Sequence, residues 1–283
     1  MRGYAGTPNV HNHYIPSKFS HNRKVLMPIK HIVSDWNGTL ISHRDEFHLY
    51  SKIALDLGKA QLWNGIPVHL IKLLQLYRMK NRMEKMYALG RTGNDPDFVE
   101  KMYSIFNNDV VLGLPVSFIH RSVDNYAARA SMKLDLRLIR PLEQASKEGT
   151  SLGILSAGYG LGIRRTLEEA GLGNLFDPSD TIADVLEEKD GRAVGFHLRI
   201  YKNKLTYLKT EFFGKRQLKD TDTAYLGDTT DDESCFEYLA SVGGYPIVPI
   251  LASNDFKNHC VKKYNAFVPE SEKDFLLYLK SAT

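Results

Sequence analysis

Apolar residues recur along this chain with two different periods, and the points where the period changes divide it. Short, nearly unbroken apolar runs, the mark of strands buried on both faces, occur at Ile32–Asp35, Ser151–Ser156 and Thr223–Asp228. Each run ends in a polar side chain beside small residues. Asp35 precedes Trp36-Asn37-Gly38-Thr39-Leu40, Ser156 precedes Ala157-Gly158, and Gly227-Asp228 precedes Thr229-Thr230-Asp231-Asp232. The carboxyl ends of parallel strands are where open α/β sheets bind their ligands. Gly38 permits a tight turn there and leaves its amide available to an anion. Alone, the first motif is equally an Asp-X-Asn-Gly loop turn.

Between the first and second runs lie roughly 120 residues, far more than the dozen or so a crossover needs. Their pattern is helical. Phe47, Tyr50, Ile53, Ala54 and Leu57 fall at three- and four-residue steps and predict a helix ending at Gly58. Pro67 opens a run carrying Val68, Ile71, Leu74 and Leu76 toward Leu89-Gly90, and Asp95-Pro96 opens a third with Phe98, Met102, Ile105 and Phe106. Helical signal continues from Val116 to Lys147, interrupted at Pro141. After Ser156 the α/β rhythm returns with an Ile163, Leu167, Ala170 stripe closed by Gly171. Thr181–Leu186, a turn at Lys189–Arg192 and Ala193–Ile200 predict a β-hairpin. Strands follow at Tyr245–Leu251 and Asn265–Val268, with a closing helix from Ser271. The pattern predicts an α/β core over residues 25–41 and 136–283, built on an open, mainly parallel, Rossmann-like sheet. A helical cap over 42–135 is inserted after the first strand.

Composition narrows the class without naming a chemistry. With 43% hydrophobic and 25% charged residues, the chain is an ordinary globular protein, and no stretch reaches the ~20 apolar residues of a membrane span. Cys235 and Cys260 form neither a disulfide framework nor a metal-ligand spacing, which predicts a reducing, cytoplasmic setting. The net charge of +4 is located in residues 1–24, where Arg2, Lys18, Arg23 and Lys24 face no acid. That segment, with His11, His13 and His21, reads as a flexible tail rather than a nucleic-acid arm, because four scattered charges are few for tracking phosphates.

The order Asp-strand, Ser-strand, lysine, Gly-Asp-strand resembles the haloacid dehalogenase-like superfamily of phosphoryl-transfer enzymes. The cap position and the hairpin before the lysine are similar to its phosphoserine-phosphatase-like branch. The resemblance implies a Mg²⁺-dependent phosphohydrolase acting on a small phosphorylated substrate. Asp35 would be the nucleophile, forming an aspartyl-phosphate. One Asp35 oxygen, the Asn37 backbone carbonyl and Asp228 would ligate Mg²⁺, with Asp232 completing or orienting that shell. Ser156, helped by amides near Ala157 and Gly158, would hold the phosphoryl group. Lys204 would pair with Asp35 and the phosphate; Lys202 is its near competitor, and Lys204 is preferred because Leu205 and Leu208 begin the following helix. Cys235 reads as a packed residue rather than a nucleophile.

One position departs from the family pattern. Family phosphatases carry Asp two residues after the nucleophile as acid and base, and this chain has Asn37. An amide positions a water or substrate but transfers no proton. Two alternatives follow. One is a catalytically weak phosphate- or metal-binding protein. The other is a phosphonoacetaldehyde-hydrolase-like C–P hydrolase, which the Asp-Trp pair at Asp35-Trp36 and a cap lysine at Lys72 resemble.

Overall fold

The computed structural model describes residues 28–42, 44–63, 106–197 and 199–281, with isolated positions between 77 and 104. Six strands form one sheet in the order β4-β3-β2-β1-β5-β6. They are β1 (His31–Ser34), β2 (Ser151–Tyr159), β3 (Thr181–Lys189), β4 (Arg192–His197), β5 (Thr223–Leu226) and β6 (Tyr245–Ile247). All neighbours are parallel except the β3–β4 hairpin. The sheet is therefore the open, mainly parallel one that the apolar runs predict.

Alternation along the strands fills two cores, one on each face. Ile32, Leu152, Ile154, Ala224 and Leu226 belong to one, whereas Val33, Leu155 and Tyr225 belong to the other. The first core takes residues from α1 (Arg44–Trp63), α2 (Val116–Ala130), α3 (Leu136–Lys147), α4 (Gly160–Glu169) and α8 (Glu272–Ser281). Beneath the other face lie α5 (Lys204–Tyr207) with its π-helical continuation Leu208–Lys215, α6 (Glu233–Val242) and α7 (Asn254–Tyr264). β1 is central and pairs on both sides in matching register, with Ser34 opposite Ile154 and Leu226. Each edge is covered. Ile247 of β6 bridges Phe267, and Pro115 bridges Arg192 of β4, so neither edge presents a long unpaired ladder.

The helical insert shares its packing with the sheet. Tyr50 and Phe106 join Phe196 of β4 and Tyr159 of β2 in a buried aromatic cluster, with ring centroids 4.6–5.8 Å apart. Residues 107–116 run beside the hairpin. Gly113 N–H donates to Ala193 O at 2.8 Å, Ala193 N–H to Leu114 O at 2.8 Å, and Val116 N–H to Gly191 O at 3.0 Å. Asn107 completes the seam by donating to Phe196 O at 3.0 Å and accepting from Phe196 N–H at 2.8 Å.

Several boundaries differ from the sequence pattern. Helix α1 runs through Gly58 to Trp63, because Gly58 is buried against neighbours and packing outweighs its helix penalty. The predicted long helix breaks at Ser131–Asp135, while Pro141 lies inside α3. There Leu134 bridges Ile41, Asp135 N–H donates to Leu40 O at 2.9 Å, and the Asp135 side chain caps α3 through Arg137 N. Strand β4 stops at His197 rather than Ile200, and β6 stops at Ile247 before a turn. Asn265–Val268 contributes only the Phe267 bridge. The N-terminal basic segment, most of the predicted cap helices and Lys72 lie outside the described residues.

Candidate active site

Parallel pairing places the polar strand ends together. Asp35 is the first residue beyond β1, and its N–H continues the ladder to Leu226 O at 2.8 Å. Ser156 and Asp228 each lie two residues beyond the partner of Ser34 on the strands flanking β1. Trp36 N–H donates to Asp35 Oδ1 at 2.7 Å, which aims the carboxylate. Gly38 makes the turn with φ 77°, but its amide donates to Ile41 O at 2.6 Å. The expectation that this amide faces an anion is therefore corrected, because the turn itself consumes the donor.

Oxygens of Asp35, Asp228 and Asp232 lie within 4.8 Å of one another, and all three residues are buried. Lys204, only 5% exposed, enters this cluster from the start of α5. Its ammonium donates to Asp35 Oδ2 at 2.8 Å and to Asp232 Oδ1 at 2.7 Å. Lys202 is exposed, has a φ of 63° and sits over the Tyr201 ring, so of the two lysines Lys204 is the one brought to the acids. Burial alone lowers the Lys204 pKa, yet Asp232 and Asp35 overcome it and hold the ammonium well above its ordinary value. Burial pushes the Asp35 carboxyl up, against the opposing pull of Lys204.

Asp232 is engaged on both oxygens. Oδ1 accepts from Lys204 and, at 2.8 Å, from the Tyr225 hydroxyl. Oδ2 accepts from the amides of Asp228 and Thr229 at 3.0 and 3.2 Å and from the Thr229 hydroxyl at 3.4 Å. This folded-back position depends on Gly227, where a Cβ would stand 2.4 Å from Asp232 Cγ. Asp232 thus holds the Asp228 loop in place. The Thr39 hydroxyl donates to Asp228 Oδ1 at 3.0 Å.

On the β2 side, Ser156 is 1% exposed and its Oγ accepts from Gly158 N–H at 3.1 Å. The Gly158 amide is turned to that hydroxyl in this state, whereas Ala157 remains half-buried beside it. The Asn37 amide reaches the backbone at Gly158, where a Cβ would meet Asn37 Nδ2 at 2.9 Å. The site therefore brings together Asp35, Asn37, Ser156, Gly158, Lys204, Asp228 and Asp232. Sequence reasoning missed Tyr225 and Thr39 as members. Tyr225 reads only as an apolar strand position, and Thr39 carried a signal as the hydroxyl after the turn glycine. Cys235 and Cys260 are buried free thiols, and burial raises both pKa values, so Cys235 is packed as its helical spacing predicts.

The donor set fits a hard divalent cation. Three buried carboxylates converge here with the buried Lys204 ammonium, a concentration of negative charge that a cation would offset. Clustered carboxylate oxygens suit Mg²⁺ chemically.

No protein-family profile and no curated protein sequence matches the chain. Solved structures match it over most of its length. A substrate-bound phosphoserine phosphatase complex is 17% identical with a TM-score of 0.54, covering 88% of this chain and 97% of that one. A phosphoserine phosphohydrolase-like protein from Francisella tularensis is 14% identical with a TM-score of 0.55, covering 88% and 99%. Cytosolic 5'-nucleotidase IIIB bound to cytidine is 16% identical with a TM-score of 0.53, covering 90% and 87%. The chain has the haloacid dehalogenase-like fold. Its architecture is similar to that of these phosphoserine phosphatase and phosphohydrolase-like structures.

Proposed function

We propose that this protein is a Mg²⁺-dependent phosphohydrolase of small phosphomonoesters. The observation that carries the reading is the buried convergence of Asp35, Asp228 and Asp232 around Lys204 at the strand ends. Asp35 Oδ attacks phosphorus and the ester P–O bond breaks, with the oxygen leaving toward solvent and taking a proton from water. A second water attacks phosphorus, the P–O bond to Asp35 breaks, and inorganic phosphate and the free carboxylate result. Mg²⁺ held by Asp35, Asp228 and the Asn37 backbone carbonyl would neutralise the approach of two anions. Lys204 orients Asp35 and balances phosphoryl charge, while Ser156, whose oxygen accepts from the Gly158 amide, donates its O–H to a phosphoryl oxygen. The 42–135 insert, which the sequence pattern assigns to a helical cap, would select the substrate and exclude water. The buried free thiols fit a reducing compartment, and we place the enzyme in the cytoplasm.

Release of phosphate from a panel of phosphomonoesters, with and without Mg²⁺, tests this. Turnover should require the ion and disappear in Asp35→Asn with the far-ultraviolet spectrum unchanged. Metal binding without turnover on any ester would instead support a binding protein. Turnover confined to phosphonoacetaldehyde would support C–P hydrolysis.

A further inference from the structure

The Tyr225 ring lies on the opposite face of the sheet from the aromatic cluster, yet its hydroxyl enters the charged site. Its backbone is held on both sides, paired with Val33 on β1 and Pro246 on β6. The ring is fully buried and packs edge-on against Phe236 at 5.9 Å, so the phenol has no alternative rotamer space. A phenylalanine would fill this core equally well. The hydroxyl is the only difference, and a buried hydroxyl needs a partner. Its partner is Asp232 Oδ1 at 2.8 Å, the same oxygen that accepts from Lys204.

We propose that Tyr225 is a positioning residue that fixes Asp232 Oδ1 from behind the sheet and so shares Lys204 between Asp232 and Asp35. A carboxylate oxygen accepts about two hydrogen bonds in its plane. With the phenol occupying one direction, Lys204 is confined to the other, where its ammonium also reaches Asp35. Between a phenol and a carboxylate the phenol is the donor. Without that donor, Asp232 Oδ1 has its full charge available to Lys204, and the ammonium shifts from Asp35 toward Asp232. Asp35 then loses its alignment while metal and substrate contacts remain. The same geometry explains why the two oxygens of Asp232 are served from opposite sides, by a loop at Oδ2 and by side chains at Oδ1.

The proposal rests on the phosphohydrolase reading for its kinetic consequence and on the hydrogen bond alone for its spectroscopic one. In Tyr225→Phe, kcat on p-nitrophenyl phosphate should fall about tenfold, the effect of one hydrogen bond to a charged group, with KM within twofold. The NMR resonance of the Lys204 ammonium, assigned by its loss in Lys204→Met, should move in the same variant. An unmoved resonance overturns the proposal, and so does an unchanged kcat in an active enzyme. A moved resonance in a protein that hydrolyses nothing supports the positioning contact and sinks the phosphohydrolase reading instead.

Discussion

Two buried aspartates in this molecule grip consecutive backbone amides, and they are otherwise opposites. Asp232, beyond β5, accepts from the amides of Asp228 and Thr229, and its other oxygen is held by Lys204 and Tyr225. Asp184, on β3, accepts at Oδ1 from the amides of Arg199 and Ile200 at 2.8 and 3.1 Å, and its buried Oδ2 has no hydrogen-bond partner. Both tie down a segment next to the acidic cluster, the Asp228 loop in one case and the approach to Lys204 in the other. Only the first is surrounded by compensating donors. Burial therefore pushes the Asp184 carboxyl up from 3.8 to about 6, despite the two amides and the nearby Arg199 and His197. The same backbone grip thus gives a rigid charged site where donors are complete and a pH-responsive tether where they are not.

The compensated region should break hardest. Lys204→Met leaves Asp35, Asp228 and Asp232 buried without their cation, and should cost about 3–5 kcal/mol of stability measured by urea denaturation in chelator. Added Mg²⁺ should recover part of that loss. A denaturation midpoint equal to wild type would show that the cluster is not held by this charge. In the same crevice, Asn37→Asp supplies a proton donor beside the leaving group. It should raise kcat on alkyl phosphates by up to about 10²–10⁴, with little change on activated aryl phosphates. If neither class is hydrolysed faster, the amide is not standing where an acid is needed.

The uncompensated region should respond more gently and through pH. The folded-state pKa of Asp184 lies above its unfolded value, so keeping this carboxylate ionised costs stability. That cost is absent below about pH 4, grows as pH rises through about 6, and is fully present above it. Asp184→Asn removes the charge and keeps an oxygen for the two amides. Relative to wild type it should gain about 1–3 kcal/mol between pH 4 and pH 8, seen as a difference in thermal midpoints that widens with pH. A pH-independent difference would mean that the Asp184 carboxyl titrates normally.

The contrast also marks what a sequence reader can see. Asp35, Ser156 and Asp228 were legible because each ends an apolar run, and parallel pairing aligns such ends at one edge. Lys204 was preferred over Lys202 only through the family resemblance of the run that follows it, and the choice stayed open until the structure brought Lys204 to the acids. Tyr225 was not legible, since an aromatic in a buried strand looks identical whether its hydroxyl is used or not. Asp184 was hidden inside the strand Thr181–Leu186, where nothing local announces that distant amides will meet it. The α2–α3 break escaped for a related reason. Pro141 is the conspicuous local signal, but the chain turns where Leu134 and Asp135 pair with the Leu40–Ile41 segment.

The central place of β1 has a consequence for how the protein is made. Asp35 is among the first site residues to be synthesised, yet its partners come much later. Lys204 follows it by 169 residues, and Asp228 follows Thr39 by 189. A nascent chain emerging in order therefore carries β1 without β2 until Ser151 and without β5 until Thr223. The crevice closes only when β5 is added beside it. Long-range pairing of this kind slows folding, because chain entropy is lost before the contacts form. The charged cluster is complete only when β5 and the Asp228 loop stand beside β1 and Lys204.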